Sequence, residues 1–165
     1  MIYGFKELSS VCAAIAEGRQ TVLLRKAGLR ESTAESGFQT KSFYLLPTQY
    51  HEKGAKNAAP NFSITLRVEI IRSGDLVDWA QIEKLLPLTA YDPPTIREHF
   101  ESRDQRLLHF AHIRAFSLSP TWHLPHSESL SGCRSWFELP PPSLDMKELP
   151  VAATDLSRKT EQVLS

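Results

Sequence analysis

Residues 17–48 read EGRQTVLLRKAGLRESTAESGFQTKSFYLLPT, in which the apolar runs TVLL and FYLL are separated by a polar insert. Short apolar runs around an insert rich in Gly, Ser, Thr and Glu are typical of two strands joined by a surface loop. The stretch therefore predicts a strand over residues 20–26, a loop over residues 27–41 and a strand over residues 42–46. We expect the second strand to pair back on the first.

The rest of the chain predicts further elements on both sides of this stretch. Apolar residues at helical spacing indicate a helix over residues 4–17, which Gly18 can end because glycine accepts the left-handed conformation. Residues 61–72 alternate between apolar and polar side chains, which indicates a strand with one buried face. Ser73-Gly74-Asp75 predicts a turn, with Asp75 as the cap of a following helix. The remaining predicted elements are a helix beginning near Asp92-Pro93, a strand over residues 107–118 and a strand over residues 134–139.

This order of elements predicts the fold class and the domain organisation. Few helices separate the strands, so we expect an α+β fold with a mostly antiparallel, curved sheet, an N-terminal helix and a central helical pair. Such a sheet can curl into a barrel. We assign a single α+β domain to residues 1–142, where three consecutive prolines break regular structure. Residues 143–165 are interpreted as a polar, partly disordered C-terminal tail.

Composition excludes several classes of protein. The chain has 19 basic and 19 acidic residues and 41% apolar residues, as expected for a globular domain without the basic excess of a dedicated nucleic-acid binder. Its charge is unevenly spread, because residues 1–56 hold 8 basic and 5 acidic side chains. Cys12 falls on an apolar stripe and is interpreted as a buried thiol. No apolar run is long enough to span a membrane and no signal peptide is recognisable, so we expect a cytoplasmic location.

The first strand carries the most cationic part of the chain. The basic residues on and beside this strand are Arg19, Arg25, Lys26 and Arg30. Guanidinium groups suit phosphate oxygens because their planar donors bind two acceptors at once. The alternative is an ordinary solvated strand end balanced by Glu17 and Glu31. The cluster is our candidate phosphate-binding site.

Three segments together resemble the bacterial, notably cyanobacterial, domain-of-unknown-function family numbered 1802. They are GRQTVLLRKAGLRE (18–31), FYLLPTQYHE (43–52) and GCRSWFEL (132–139). The chain departs from the family pattern by a single Gly28 and by Lys41-Ser42 where charged pairs are usual. The resemblance implies a shared fold and no established activity. The positions that match the family motifs are Gly18, Gly28, Pro47, Thr48, His51, Gly132, Cys133, Arg134, Ser135 and Trp136.

A second resemblance is to PUA-like barrels, in particular the ASCH domain. In that domain a helix ending in Ile-x-x-Gly leads into a strand reading Thr-x-x-x-Arg, which Ile15, Gly18, Thr21 and Arg25 match, with Arg19 between them. Such barrels are typically associated with RNA. The resemblance therefore implies a nucleic-acid contact near Arg19 and Arg25, transferred by analogy of fold.

The sequence also contains partial motifs for metal-dependent and nucleophilic chemistry. A metal-dependent nuclease of the PD-(D/E)XK type needs an acid on one strand and an acid-x-Lys triplet on the next, and the only such triplet is Asp145-Met146-Lys147 in a proline-flanked segment. A migrated variant would have to use Glu31, Glu35 or Glu69. A zinc site would draw on His123, His126 and Cys133, whose spacing is permissible but which no paired cysteines support. A nucleophile pair would use Cys133 and His126, although their spacing does not require contact.

These observations favour a non-catalytic nucleic-acid or nucleotide-binding module that uses Arg19, Arg25, Lys26 and Arg30 on phosphates, with no metal or cofactor. RNA is the partner that the ASCH resemblance implies. A divergent metal-dependent nuclease and a protein-interaction subunit that uses the loop at 27–41 are the alternatives. The corner at Cys133-Arg134-Ser135 is a second candidate site, although Trp136 and Leu139 are also interpreted as packing residues.

Overall fold

The computed structural model describes residues 1–27, 37–38, 40–48, 61–102, 106–125, 127–130 and 134–165. These residues form seven strands, four α-helices and 3-10 turns at Leu86–Leu88 and Glu128–Leu130. The strands are β1 (Ile2–Leu8), β2 (Val22–Lys26), β3 (Ser42–Thr48), β4 (Asn61–Leu76), β5 (Leu108–Pro125), β6 (Trp136–Leu139) and β7 (Lys147–Pro150). The helices are α1 (Ser9–Ala16), α2 (Trp79–Leu85), α3 (Pro93–Glu101) and α4 (Thr154–Leu164).

The described strands form one mixed sheet in the order β2-β5-β4-β3-β1-β6, and β7 pairs with β5. Only the β1–β3 ladder is parallel, and the other ladders are antiparallel. The sheet curls into a half-barrel with the helices around it. The predicted fold class, α+β with a mostly antiparallel curved sheet, is confirmed.

The predicted pairing between the first two strands of the 17–48 stretch is wrong. β2 pairs with β5, with Val22 opposite His112 and Lys26 opposite Leu108. β3 lies between β1 and β4, so two other strands separate it from β2. A buried apolar strand can satisfy its hydrogen bonds with any suitable neighbour, and the long β5 strand is the neighbour that β2 uses.

The N-terminal helix is shorter than predicted. Residues 2–8 form β1, and the helix begins only at Ser9. Phe5 explains the difference, because it contacts Phe43 on β3 and Trp136 on β6, with ring centroids 5.7 and 4.9 Å apart. A strand inserted between β3 and β6 places Phe5 in the core, and local helical spacing could not foresee these two partners.

The predicted turn at Ser73–Asp75 is also wrong, because β4 continues to Leu76 along β5. Register shifts near Leu66 and Arg72 let this 16-residue strand bend with the curled sheet. Asp75 therefore does not cap a helix. Asp78 caps α2 by accepting a hydrogen bond from Ala80 N at 3.0 Å, whereas the predicted cap at Asp92 is present on α3.

The C-terminal segment is not the frayed tail that its composition predicts. β7 pairs with β5, and α4 packs beside it with Thr160 and Leu164 buried. Val151 N donates to Ala115 O at 2.9 Å, and Gln81 Nε2 donates to Val163 O at 2.9 Å. Tertiary contacts therefore order a segment whose polar side chains face solvent on one side only.

Two apolar clusters lie on the inside of the sheet. The larger one is formed by α1, α2 and α3 against β1 to β5 and includes the buried Phe43 and Phe100. The smaller one lies at the far end of β4 and β5, around Ile64, Trp122 and Leu139. The predicted buried thiol is confirmed, because Cys12 is a free, buried cysteine in the larger cluster.

Candidate nucleic-acid interface

Arg19 lies in the turn between α1 and β2, directly after Gly18. Its Nε donates to Glu17 Oε2 at 2.6 Å, and the two side chains are 60% and 58% exposed. An ion pair with this exposure contributes little free energy because water competes for both charges. The guanidinium of Arg19 can therefore exchange Glu17 for an external anion at small cost.

Arg25 and Lys26 lie at the other end of β2. Arg25 is half-buried, and its Nη1 donates to Gly37 O at 2.8 Å, whereas Lys26 is exposed. Arg25 therefore ties the chain at Gly37 to β2, and Lys26 is the more accessible cation of the two. Successive strand residues point to opposite faces of the sheet, so the side chains of Arg25 and Lys26 do not bind one phosphate together.

The structure separates the predicted cluster into two parts. β2 runs from Val22 to Lys26, so at about 3.3 Å per residue its two ends lie about 13 Å apart, with Arg19 before the first end and Arg25 and Lys26 at the second. Arg30 lies outside the described residues, and so do most of the loop at 27–41 and the family-motif residue Gly28. The described part of the cluster is therefore a stripe along β2 and not a compact patch.

A basic residue outside the predicted cluster, Arg114, belongs to the Arg19 end of this stripe. It is exposed on β5, next to Ile113, whose N–H donates to Thr21 O at 2.9 Å. Arg114, Gln20 and Thr21 line a cleft of about 450 Å³ between the sheet and the beginning of α4. Sequence reasoning missed this residue because its neighbours come from pairing between β2 and β5.

A second set of polar residues borders the same cleft. His112 on β5 is 3% exposed, and its Nδ1 lies 2.7 Å from Glu161 Oε2. Its Nε2 lies 3.0 Å from Ser157 Oγ, and Ser157 lines the cleft. Arg72 Nη2 contacts the other carboxylate oxygen of Glu161 at 2.7 Å.

The environment of Glu161 favours its charged form. Partial burial acts to raise its pKa, but the hydrogen bonds from His112 and Arg72 outweigh burial and lower that pKa below its ordinary value. Ser157 and Glu161 stand four residues apart in the polar C-terminal sequence, a spacing that shares one helix face. The sequence therefore contained a signal for this pair of residues, but the interpretation of residues 143–165 as a partly disordered tail left that signal unused.

His109, the other buried histidine of β5, supports the opposite end of the stripe. Its Nδ1 lies 2.7 Å from Asp75 Oδ1, and a Cβ added at Gly37 would lie 3.7 Å from its ring. Nε2 of His109 has no hydrogen-bond partner within the described part of the chain. The hydrogen bond from Arg25 to Gly37 O and this proximity to His109 hold Gly37 beside the end of β2.

The family-motif residues that the structure describes have structural contacts. Gly18 has φ +73°, and a Cβ there would lie 2.5 Å from Ala152 O. Pro47 and Thr48 belong to β3, where they pair with Glu7 and Leu8, so the strand continues two residues beyond its predicted end at residue 46. His51, Gly132 and Cys133 lie outside the described residues.

The corner before β6 is likewise built for packing. Arg134 Nη2 donates to Ser129 O at 2.8 Å, and Ser135 O accepts a hydrogen bond from Lys6 N at 2.8 Å. The Trp136 ring contacts Phe5 and Phe43, with centroid distances of 4.9 Å to each. The interpretation of Trp136 as a packing residue agrees with these contacts.

The metal-dependent alternatives receive no support from the residues that the structure places. Glu69 accepts from Arg67 Nη2 at 2.9 Å, and His123 Nδ1 lies 3.4 Å from Ser63 Oγ. No group of three His, Cys, Asp or Glu side chains in the described ranges could hold a metal ion. Glu31, Glu35, His126 and Cys133 lie outside those ranges.

The fold resembles solved ASCH structures from Zymomonas mobilis. The ASCH protein of that organism gives a TM-score of 0.53 at 9% sequence identity, over 97% of this chain and 93% of that one. A serine-to-alanine variant of the same protein gives 0.52 at 11% identity, over 84% and 88% of the two chains. At these identities the likeness is one of fold, and it defines the chain as an ASCH-like α+β protein.

Within that class the sequence identifies the family. The chain belongs to the family described as Domain of unknown function (DUF1802), which matches residues 4–162. No curated protein matches the chain in sequence. Among the described residues there is no helix with the length and apolar character needed to cross a membrane.

Proposed function

We propose that this protein binds RNA, or another nucleic acid or nucleotide, through non-catalytic phosphate contacts along β2 and at the adjoining cleft. The observation that carries the proposal is the exposed guanidinium group of Arg114 in the cleft lining, with the exposed Arg19 one residue before the lining residue Gln20. Lys26 extends the cationic stripe to the far end of β2. The ASCH-like fold supports the same proposal by analogy.

The chemistry of these side chains fits phosphate. Guanidinium groups donate two parallel hydrogen bonds to phosphate oxygens, and the exposed Arg19–Glu17 pair can open when a phosphate approaches. The half-buried Arg25 supports the interface indirectly, by holding Gly37 against the end of β2. The aromatic residues of β3 contribute little to base stacking, because Phe43 is buried and Tyr44 packs on Trp122 at 5.2 Å.

The proposal is tested by fluorescence anisotropy with labelled single- and double-stranded RNA and DNA at low and moderate salt. Arg19→Ala, Lys26→Ala and Arg114→Ala should each weaken binding several-fold, and each should reduce the salt slope by about one counterion per lost phosphate contact. Lys84→Ala, on the exposed side of α2, is the matched control and should bind as the wild type does.

Two results would overturn the proposal. One is the absence of saturable binding at micromolar protein concentration with all four nucleic acids. The other is binding that Lys84→Ala weakens as much as the three stripe variants do, because the interaction would then follow overall charge and not this surface. Arg25→Ala is unsuitable as a primary test, since it also removes the Gly37 hydrogen bond.

A further inference from the structure

Ser157, His112 and Glu161 form an ordered chain of hydrogen bonds. Ser157 Oγ lies 3.0 Å from His112 Nε2, and His112 Nδ1 lies 2.7 Å from Glu161 Oε2. A hydroxyl, an imidazole and a carboxylate in this order are the arrangement that activates a serine, because the imidazole accepts the hydroxyl proton and the carboxylate orients the ring. The three residues come from β5 and one face of α4, so only the folded chain assembles them.

The carboxylate end of the chain is fixed by a second contact. Arg72 Nη2 lies 2.7 Å from Glu161 Oε1, which leaves Oε2 for His112. A charged Glu161 beside Nδ1 favours the tautomer in which Nδ1 carries the hydrogen and Nε2 accepts from Ser157. His112 is 3% exposed, so water does not compete strongly for its ring.

The serine end of the chain opens on a space large enough for a small substrate. Ser157 is half-buried and lines the cleft of about 450 Å³, together with Thr21, Arg114 and Thr154. Side chains of a helix lean toward its N-terminus, so Ser157 Oγ lies over the first turn of α4. Ala153 precedes that turn and no side chain of the described residues caps it, so first-turn amides can donate to a negative oxygen formed near Ser157.

We infer that Ser157 is a nucleophile toward small carboxylic esters, with His112 as general base and Glu161 as the positioning residue. This activity goes beyond nucleic-acid binding and does not require it. Arg114, exposed in the cleft lining, favours esters with an anionic group. Anchoring α4 to the sheet would need only one of these hydrogen bonds, and the sheet already holds the helix through Thr21 Oγ1 and Thr160 Oγ1 at 3.1 Å.

The reaction would follow two balanced steps. Ser157 Oγ bonds to the ester carbonyl carbon while its proton passes to His112 Nε2, and the bond to the alcohol oxygen then breaks as His112 returns that proton to the departing alcohol. Water next attacks the acyl-serine, giving a proton to His112, and the serine–acyl bond breaks to release the carboxylic acid. His112 returns the proton to Ser157 Oγ, which restores the starting state.

A fluorophosphonate probe tests the inference, because it reacts with activated serines, and peptide mass spectrometry locates the adduct. We expect an adduct on Ser157 in the wild type and none at that position in Ser157→Ala. Glu161→Gln should slow labelling at least about tenfold, because the ring loses its charged partner while a similar hydrogen bond remains. Ser127→Ala, at an exposed serine away from the cleft, is the matched control and should label as the wild type does.

Hydrolysis of p-nitrophenyl acetate gives a second readout with the same variants. Wild type and Ser127→Ala should release nitrophenolate faster than Ser157→Ala, while thermal unfolding shows that all of them are folded. A folded wild type without an adduct on Ser157 would overturn the inference, as would equal labelling of wild type and Glu161→Gln. Lys26→Ala, at the far end of β2 from the cleft, should weaken nucleic-acid binding and leave labelling of Ser157 unchanged, so failure of this inference is distinguishable from failure of the binding proposal.

Discussion

At the scale of single residues, Glu7 is a buried carboxyl group whose pKa is shifted for a clear physical cause. Burial raises the pKa of Glu7 to about 7, although hydrogen bonds from Leu8 N and Tyr91 Oη, each at 2.8 Å, act to lower it. Tyr91 Oη in turn accepts from Leu24 N at 3.1 Å. The carboxyl group therefore joins β1, β2 and the segment before α3 through one buried network.

The raised pKa of Glu7 predicts a pH-dependent free energy of unfolding. The folded chain keeps a proton that the unfolded chain releases above about pH 4.5, so this stabilisation is complete below pH 4.5 and is lost as pH rises to about 7. The loss is on the order of 3 kcal/mol for a shift of this size. The neighbouring Cys12 and Tyr91 also have raised pKa values and stay neutral across this range.

Urea unfolding of wild type and Glu7→Gln between pH 4.5 and pH 8 checks this prediction. Glutamine cannot release a proton, so the variant should lose the fall in stability that Glu7 causes, and its advantage over wild type should grow with pH. Glu138→Gln, at an exposed position on β6, serves as the control and should follow the wild type. Parallel pH profiles for wild type and Glu7→Gln would contradict the assignment.

At the scale of elements, the turn between α1 and β2 is coupled to the segment that leads into α4. Gly18 combines a left-handed φ of +73° with a close approach of Ala152 O, at 2.5 Å from a would-be Cβ. Gly37 also has a positive φ, of +89°, but a Cβ there would meet only the His109 ring at 3.7 Å. Substitution of Gly37 therefore tests the cost of a left-handed φ alone, whereas substitution of Gly18 tests that cost together with a steric conflict.

This difference makes a direct prediction. Gly37→Ala should lower the free energy of unfolding by about 1–2 kcal/mol, the cost of a side chain in the left-handed region. Gly18→Ala should cost more, because the methyl group must also displace Ala152 and with it the entry to α4. Equal unfolding midpoints in urea for the two variants would mean that the backbone around Ala152 can move away from the added methyl group without a measurable cost in stability.

At the scale of the whole molecule, residues 143–165 complete the sheet and cover part of it. They supply β7 and α4, bury Leu164 and Thr160, and shield His112. Ending the chain at residue 142 should therefore lower the free energy of unfolding by at least about 2 kcal/mol, since one buried leucine alone is worth that much. An unchanged urea midpoint would instead support the sequence-based assignment of an independent domain over residues 1–142.

The overall charge also acts at this scale. The chain is neutral, so long-range attraction to nucleic acid is weak and any affinity must come from the local stripe along β2. Binding should therefore involve few phosphates and have a shallow salt slope. A steep slope in the anisotropy titration would require basic residues beyond Arg19, Lys26 and Arg114.

The sequence by itself determined what depends on near neighbours along the chain. Alternation over residues 61–72 and the cap at Asp92 located β4 and α3, since strand periodicity and helix capping are local effects. The family motifs pointed to the family whose pattern matches residues 4–162, and the Ile15-to-Arg25 pattern pointed to the ASCH-like fold that the solved structures confirm. The sequence located the candidate phosphate site only in part. Arg19 and Lys26 are recognisable by their charge, but the sequence does not show that Arg114 lies near Arg19.

The tertiary structure alone decided which distant residues meet. Pairing of β2 with β5 brought Arg114 to the Arg19 end of the stripe, and docking of α4 placed Ser157 and Glu161 on His112. The beginning of β1 and the order of the C-terminal segment depended in the same way on contacts with other strands. The physical reason is that strand pairing and the burial of polar side chains are settled by partners far apart in sequence, which no local pattern records.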